Sequence, residues 1–382
     1  MKQHLLKSRR GFLQRAVALG LGFGGLRTAV AQSDKRVGVV SDPLFLQHDW
    51  PEHREGAYRL RAILERLEQE DLLSQLLPQP VRPATDLELR RGHTEGYLLE
   101  LRVASDGEPG YFNFGAQDNY VNQATWAAAR HAVGGLIDLC GAVARRELDA
   151  GFALVRPPGH HAEPSRAMGF CFVSNIALAA RALQAQGIKR LAIVDFDIHH
   201  GNGTQAVVGH DPDVLFLDLH QSNLFPANSG RIDEIGEGAA RGTIVNAPLP
   251  PYVDDEGLLL LYERVFEPVM ARFKPDMLLV SAGYDGHWRD PLSRQNMTLK
   301  GFDALSRRLV DFADRHCGGR VVFTLEGGYD GEVLGHAVAN SLWALLGDAE
   351  KRDPIGASDE GKPSSDIAAL IERLRSLHGL TA

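Results

Sequence analysis

Apolar positions along this chain follow two alternating rhythms. Short, nearly continuous apolar runs predict buried strands over Arg36–Ser41, Gly151–Val155, Arg190–Asp195, Val214–His220, Met277–Ala282 and Arg320–Leu325. Between them, apolar residues recur at helical spacing over Ala57–Gln69, Ala124–Arg145, Asn175–Gln186, Leu258–Arg272, Gly301–Arg315 and Val333–Leu346. Strand followed by helix, repeated, predicts an α/β chain with a parallel sheet covered on both faces. Ligands of such sheets bind beyond the carboxyl ends of the strands. A last amphipathic segment, Asp366 to Leu377, follows the polar stretch Asp353 to Ser365.

Chemically suggestive residues fall at those strand ends. Arg156-Pro-Pro-Gly-His160-His161 follows one strand, Asp195 to His200 closes another, Ser281-Ala-Gly-Tyr-Asp285 follows a third and Glu326-Gly-Gly-Tyr329 a fourth. If the strand runs on through Leu191-Ala-Ile-Val-Asp-Phe-Asp-Ile-His, its alternation places Asp195, Asp197 and His199 on one side. Two buried carboxylates and an imidazole on one face are expensive unless something neutralises them, and a divalent metal does so. A lone Asp-x-Asp reads as a solvated strand end, the His pair alone as an exposed turn, Asp285 alone as a loop cap and Tyr329 alone as packing. Their convergence favours one site. With Asp285, Asp197 and His199 make three ligands and leave open positions, as a catalytic metal requires. Tyr329 beside two glycines suits a hydrogen-bond donor to an oxyanion.

The first 31 residues read as a targeting segment outside the fold. Ser8-Arg9-Arg10-Gly11-Phe12-Leu13 is a twin-arginine pattern, an apolar run from Ala16 to Leu26 follows, and Ala29-Val30-Ala31 supplies a small-x-small cleavage signal. That run is short of the about 20 residues a membrane span needs. The expectation is Tat-type export to a bacterial periplasm, no membrane span, and one catalytic domain over residues 32–382. The segment carries six Lys or Arg and no acid, so the formal charge of −8 becomes about −14 for the remainder. This balance argues against a nucleic-acid surface and favours a cationic substrate. Cys140, Cys171 and Cys317 give no disulfide framework.

Five linked motifs carry a resemblance: RPPGHHA (Arg156–Ala162), GFCFVSN (Gly169–Asn175), DFDIHHGNGTQ (Asp195–Gln205), SAGYD (Ser281–Asp285) and LEGGY (Leu325–Tyr329). The chain resembles the histone deacetylase superfamily, and within it the bacterial histone deacetylase-like and acetylpolyamine amidohydrolases. Asn202 agrees with the class II-like branch. The resemblance implies an arginase-like three-layer α/β/α sandwich around a mostly parallel sheet, with one catalytic Zn2+, sometimes Fe2+. It implies that Asp197, His199 and Asp285 hold the metal, that His160 pairs with Asp195 and His161 faces Asn202. His161 then moves the proton while His160 acts by charge and position, a division the sequence leaves open. Tyr329 polarises the amide carbonyl, and Gly169, Phe170 and Phe225 wall a narrow channel. K+ or Na+ is implied at an inner site around Asp195, Asp197, His199, Asp218 and Leu219, and at an outer one near Val208, Asp211 and Val214.

Departures bear on the substrate. The rim pattern is only partly kept in His48-Asp-Trp-Pro-Glu-His53-Arg-Glu, and Leu292 stands where some polyamine-preferring relatives carry an acid. Asp118 and Asn119 are candidates for gripping substrate. The expected function is a zinc-dependent deacylase acting on a small acylated amine or acyl-lysine peptide, with an acetylpolyamine enzyme as the alternative. A homo-oligomer fits as well. An arginase-type ureohydrolase lacks its second-metal pattern here, and a non-catalytic acyl-binding envelope protein has no need of Tyr329.

Overall fold

The structure is a computed structural model that describes residues 35–112, 119–349, 352–358 and 363–380. The expected targeting segment therefore lies outside the described residues. Among the described residues ten strands are formed: β1 (Val37–Val40), β2 (Leu77–Pro78), β3 (Gly110–Tyr111), β4 (Tyr120–Val121), β5 (Ala150–Ala153), β6 (Leu191–Asp195), β7 (Val214–Gln221), β8 (Ile244–Leu249), β9 (Met277–Ala282) and β10 (Val321–Leu325). Eight of them make one sheet in the order β2-β1-β5-β10-β9-β6-β7-β8. Every pairing in it is parallel, so the sheet is parallel throughout rather than mostly so. Antiparallel β3 and β4 stand apart as a two-stranded ribbon.

All positions of β1, β5, β6, β9 and β10 are buried, which requires cover on both faces. The helix Thr125–Ala144 supplies it on β1, β5 and β10 and packs on the helix Asn175–Ala185. The helix Gly331–Leu346 also packs on β5, with Ala57–Gln69 and Leu299–His316 as its neighbours. Helices, sheet and helices give the three-layer α/β/α sandwich.

The pattern places six strands and the principal helices close to where they form, and the differences have local reasons. β8 contains Pro248, a residue that breaks central strands but is tolerated on this edge strand. The two-residue β2 is too short to carry a period. The helix Glu95–Asp106 starts at an N-cap, Thr94, whose hydroxyl accepts the Tyr97 N–H. The helix expected over Leu258–Arg272 begins at Asp255, capped by Asp254, and passes through a π turn at Tyr262–Phe266. The last amphipathic segment forms a helix over Ala368–Leu377.

One buried ion cluster ties the amino-terminal loop to the strand ends. Glu55 takes a two-pronged contact from Arg156, Nε to Oε1 at 2.6 Å and Nη2 to Oε2 at 2.8 Å, and a third from Arg59 Nη1 at 3.0 Å. All three side chains are fully buried. Arg156 also donates to the Phe45 carbonyl at 2.7 Å, and Arg59 to the Gly328 carbonyl at 2.7 Å and the Glu326 carbonyl. Burial works against the Glu55 carboxylate, but the Arg156 and Arg59 charges overrule it and bring its pKa down to about 2. A depressed carboxylate contributes its stability above the unfolded value and loses it as pH falls toward the folded one. Glu55→Gln leaves two guanidinium groups undercompensated and is expected to cost about 3–5 kcal/mol in urea unfolding at pH 7. That deficit should narrow between about pH 4 and pH 2.

Candidate active site

Four adjacent strands, β5, β10, β9 and β6, bring their carboxyl ends to one place. The strand alternation expected to present Asp195, Asp197 and His199 does not run that far, because β6 stops at Asp195. A turn takes over, built by side-chain acceptors. Asp195 Oδ1 accepts the Asp197 N–H at 3.1 Å, Asp197 Oδ1 accepts the His199 N–H at 2.9 Å, and Asp285 Oδ1 accepts the Ile198 N–H at 3.0 Å. The same-side outcome survives for this different reason.

His199 Nδ1 lies 3.1 Å from Asp197 Oδ1 and 2.9 Å from Asp285 Oδ2. Ligand atoms of Asp197, His199 and Asp285 all fall within 4.8 Å of one another, and all three residues are buried. Beside them His160 Nδ1 meets Asp195 Oδ2 at 3.1 Å, and His161 Nδ1 meets Asn202 Oδ1 at 2.8 Å. The two rings lie 4.0 Å apart between centroids. Glu326 fixes their turn: its Oε2 accepts the Gly159 N–H at 2.8 Å and the His160 N–H at 3.1 Å.

The two imidazoles are driven apart electrically. Burial lowers the pKa of His160, but Asp197 and Asp195 outweigh it and hold the ring well above the ordinary histidine value. Burial and then the charge of His160 push His161 well below that value. A cation held by Asp197 weakens the field on His160 and only deepens the effect on His161, which is neutral either way. Burial, moderated by Arg59, keeps the Tyr329 phenol well above the usual tyrosine value, and therefore protonated.

These groups open into a cavity of ≈ 730 Å³. His161, His199 and Tyr329 line it with Gly169, Phe170, Leu224, Phe225 and Leu292, and Trp50 to Arg54 with Tyr111 complete it toward solvent. The Phe225 ring stands perpendicular to His161 at 5.0 Å, and Phe170 meets Tyr329 at 5.8 Å. The three expected channel walls, Gly169, Phe170 and Phe225, thus share one cavity with Leu292. Asn119 does not line it; it is buried, donating from Nδ2 to the Cys171 carbonyl at 2.9 Å and accepting the Phe170 N–H at 3.2 Å. It shapes the Phe170 wall, while Asp118 lies outside the described residues.

Comparison with known proteins agrees with this geometry. The histone deacetylase domain family matches residues 53–345. The chain belongs to the histone deacetylase family. Histone deacetylase 14, chloroplastic, of Arabidopsis thaliana is 39% identical over 361 residues, covering 90% of this chain and 85% of the relative. The histone deacetylase-like amidohydrolase of Pseudomonas aeruginosa is 37% identical over 79% of this chain and 80% of its own. A probable deacetylase of Archaeoglobus fulgidus is 37% identical over 77% and 82%. The crystal structure of the HDA15 HD domain superposes with a TM-score of 0.81 at 33% identity, covering 90% of this chain and 94% of that one. The chain is thus an amidohydrolase of the deacetylase kind.

In this family a metal is usual, and the site fits one. Among the described residues no Lys or Arg pairs with Asp197 or Asp285, so the two buried carboxylates face only imidazoles, His199 between them and His160 Nε2 at 3.8 Å from Asp197. The backbone makes room for them: a Cβ at Gly283 would overlap Asp197, and one at Gly327 would collide with both carboxylates. A second cluster, His160, Cys171 and Glu326, is a poorer cradle. Burial raises the Cys171 thiol well above its ordinary pKa, and Glu326 is already engaged by backbone N–H groups.

Of the expected cation-site residues, Asp218 pairs with Asp195 in register, accepts the Gly201 N–H at 2.8 Å and meets His220 Nδ1 at 2.6 Å. Leu219 is buried beside it. Val208, Asp211 and Val214 form the turn into β7, where the Val208 carbonyl accepts from Asp211 and the Asp211 carbonyl from Val214. The Asp211 carboxylate pairs with Arg181.

Asp290 was not foreseen as part of the site. Its carboxylate accepts the Tyr329 N–H at 2.7 Å and the Leu292 N–H at 2.9 Å, stapling two cavity walls together. Burial, with Asp285 nearby, lifts its pKa to about 8. Its only sequence signal is its place five residues beyond Asp285. Gly327→Ala should retain the folded far-UV spectrum yet bind divalent metal about 10–100-fold more weakly, measured as metal per chain after dialysis.

Proposed function

We propose that this chain is a zinc-dependent deacylase that removes an acyl group, acetyl foremost, from a lysine-like or polyamine amine. The observation that carries the reading is the convergence of a two-carboxylate, one-imidazole cradle, a neutral histidine and a protonated phenol in one cavity. Asp197, His199 and Asp285 would hold the metal, Zn2+ or Fe2+, which when bound polarises a carbonyl and acidifies water.

The residues account for the remaining work. Asn202 donates its amide N–H to Glu163 at 2.9 Å, so its oxygen faces His161 as an acceptor. That fixes the proton of neutral His161 on Nδ1 and leaves Nε2 as the base. Nε2 takes a proton from the attacking water and returns it to the leaving amine. His160, held by Asp195, contributes charge and position. The Tyr329 hydroxyl donates to the carbonyl oxygen as negative charge grows there. Phe170 and Phe225 wall the path of an aminoalkyl chain. K+ or Na+ beside Asp218 would steady the Asp195–His199 turn.

Residues 1–31 direct the reading to an exported protein of the bacterial periplasm, where small acylated amines or acyl-lysine peptides are suitable substrates. Among the described residues no helix is long and apolar enough to cross a membrane.

The zinc-loaded protein should release acetate from at least one of an acetyl-lysine peptide, N-acetylputrescine and N-acetylspermidine, with Asp285→Ala inactive. Silence on all three with zinc bound refutes the acetyl assignment. Tyr329→Phe should lower kcat by about 10²–10³ and leave KM within a few-fold, whereas a mere binder would keep its affinity and show no kcat to lose. Because the His161 pKa is depressed, the base stays unprotonated on acidification, so the acid limb of kcat/KM should fall below the ordinary histidine range of about 6.5. An Arg9→Lys, Arg10→Lys pair should leave the protein in the cytoplasm on cell fractionation.

A further inference from the structure

The mouth of the cavity carries two opposite charges that no described residue neutralises. Glu52 and Arg54 both line it, and both are exposed. Among the described residues neither side chain has an ion-pair partner, and they do not pair with each other. The loop holds them in place. Glu52 sits in the left-handed region at φ 62°, where a residue other than glycine is uncommon. His53, between them, is set edge-on against Tyr120 at 4.6 Å and Phe170 at 5.0 Å, and its Nδ1 accepts the Glu55 N–H at 3.1 Å. Trp50 packs against Tyr111 at 6.0 Å and Tyr120 at 6.1 Å. Strain that is over-determined by packing and placed at a cavity mouth is the kind kept for recognition.

The charge pattern selects among acylated amines. A lysine within a peptide bears neither an α-ammonium nor an α-carboxylate. A polyamine bears further ammonium groups, which would meet Arg54 with repulsion and find no second carboxylate at Leu292. A free amino acid bears both charges on one carbon, at the end of an aliphatic chain whose path the cavity-lining Phe170 and Phe225 would flank. We propose that the 50–54 loop is a zwitterion subsite and that the substrate class is a free Nε-acyl-lysine-like amino acid. Its α-carboxylate faces Arg54 and its α-ammonium faces Glu52, with the rings of Trp50 and Tyr111 beside the cation. This assignment rests on the deacylase reading of the cavity floor.

Acetate release by the zinc-loaded full chain tests it on five compounds. These are Nε-acetyl-lysine, N-acetylcadaverine (no carboxylate), 6-acetamidohexanoate (no amine), N-pentylacetamide (neither) and N-acetylspermidine. The free amino acid should exceed both single-charge analogues by about tenfold in kcat/KM. E52Q should erase the advantage that the amine confers and R54Q the one that the carboxylate confers, each read as a ratio between paired substrates. Turnover of N-acetylcadaverine or N-acetylspermidine equal to or faster than that of acetyl-lysine overturns the subsite, as do ratios unmoved by E52Q and R54Q. Acetate from none of the five overturns the deacylase reading itself, and the subsite with it.

Discussion

The structure is organised around an excess of buried negative charge. Asp195, Asp197 and Asp285 meet at the carboxyl ends of β6 and β9 with almost no exposure, and among the described residues the groups that pair with or donate to them are histidines and backbone N–H groups. Ionised carboxylates out of water are costly unless a cation or several donors compensate them. Much of the surrounding architecture answers that cost. The turn after β6 aims three N–H groups at the carboxylates, the Gly327 N–H donates to Asp197 Oδ2 at 2.7 Å, and two glycines leave room for the oxygens. A divalent ion held there would complete the compensation, so the cradle fits a metal by electrostatic need as well as by geometry.

That field also sorts the two histidines. They sit at 4.0 Å with equal burial, yet one faces a carboxylate and the other an amide oxygen. The Asp195 partner favours a charged ring, the Asn202 partner a neutral one with a defined tautomer. Two chemically identical side chains acquire opposite protonation preferences, largely through what each faces, the general way in which a site can separate an acid from a base.

The cavity walls are secured from further out. Glu55 joins Arg156, at the start of the histidine turn, to Arg59, whose guanidinium lies 5.0 Å from the Tyr329 ring centroid and donates to the Gly328 carbonyl. Asp290 holds the other flank of Tyr329. One charged cluster therefore sets the phenol and the histidines together, and the amino-terminal loop that supplies Glu55 also supplies the mouth. Chemistry and recognition are linked through a single short segment.

The sequence by itself determined the parallel α/β architecture, because apolar runs and helical periods are local properties of the chain. It also pointed to Asp197, His199, Asp285, His160, His161 and Tyr329 as one candidate cluster, because these residues occupy short motifs at strand ends, and the fold brings them together. What it misled on is equally local. Alternation accounted for Asp197 and His199 by extending β6, whereas the strand stops and side-chain acceptors build a turn. β8 went unseen because Pro248 reads as a breaker until the strand is known to lie on an edge. Only the tertiary structure decided that Asn119 shapes the Phe170 wall, that Asp290 braces Tyr329, and that Trp50, Glu52, Arg54 and Tyr111 share one mouth. Those relations join segments far apart in the chain, and distance along a sequence carries no record of which side chains meet when a sheet closes its loops over one cavity.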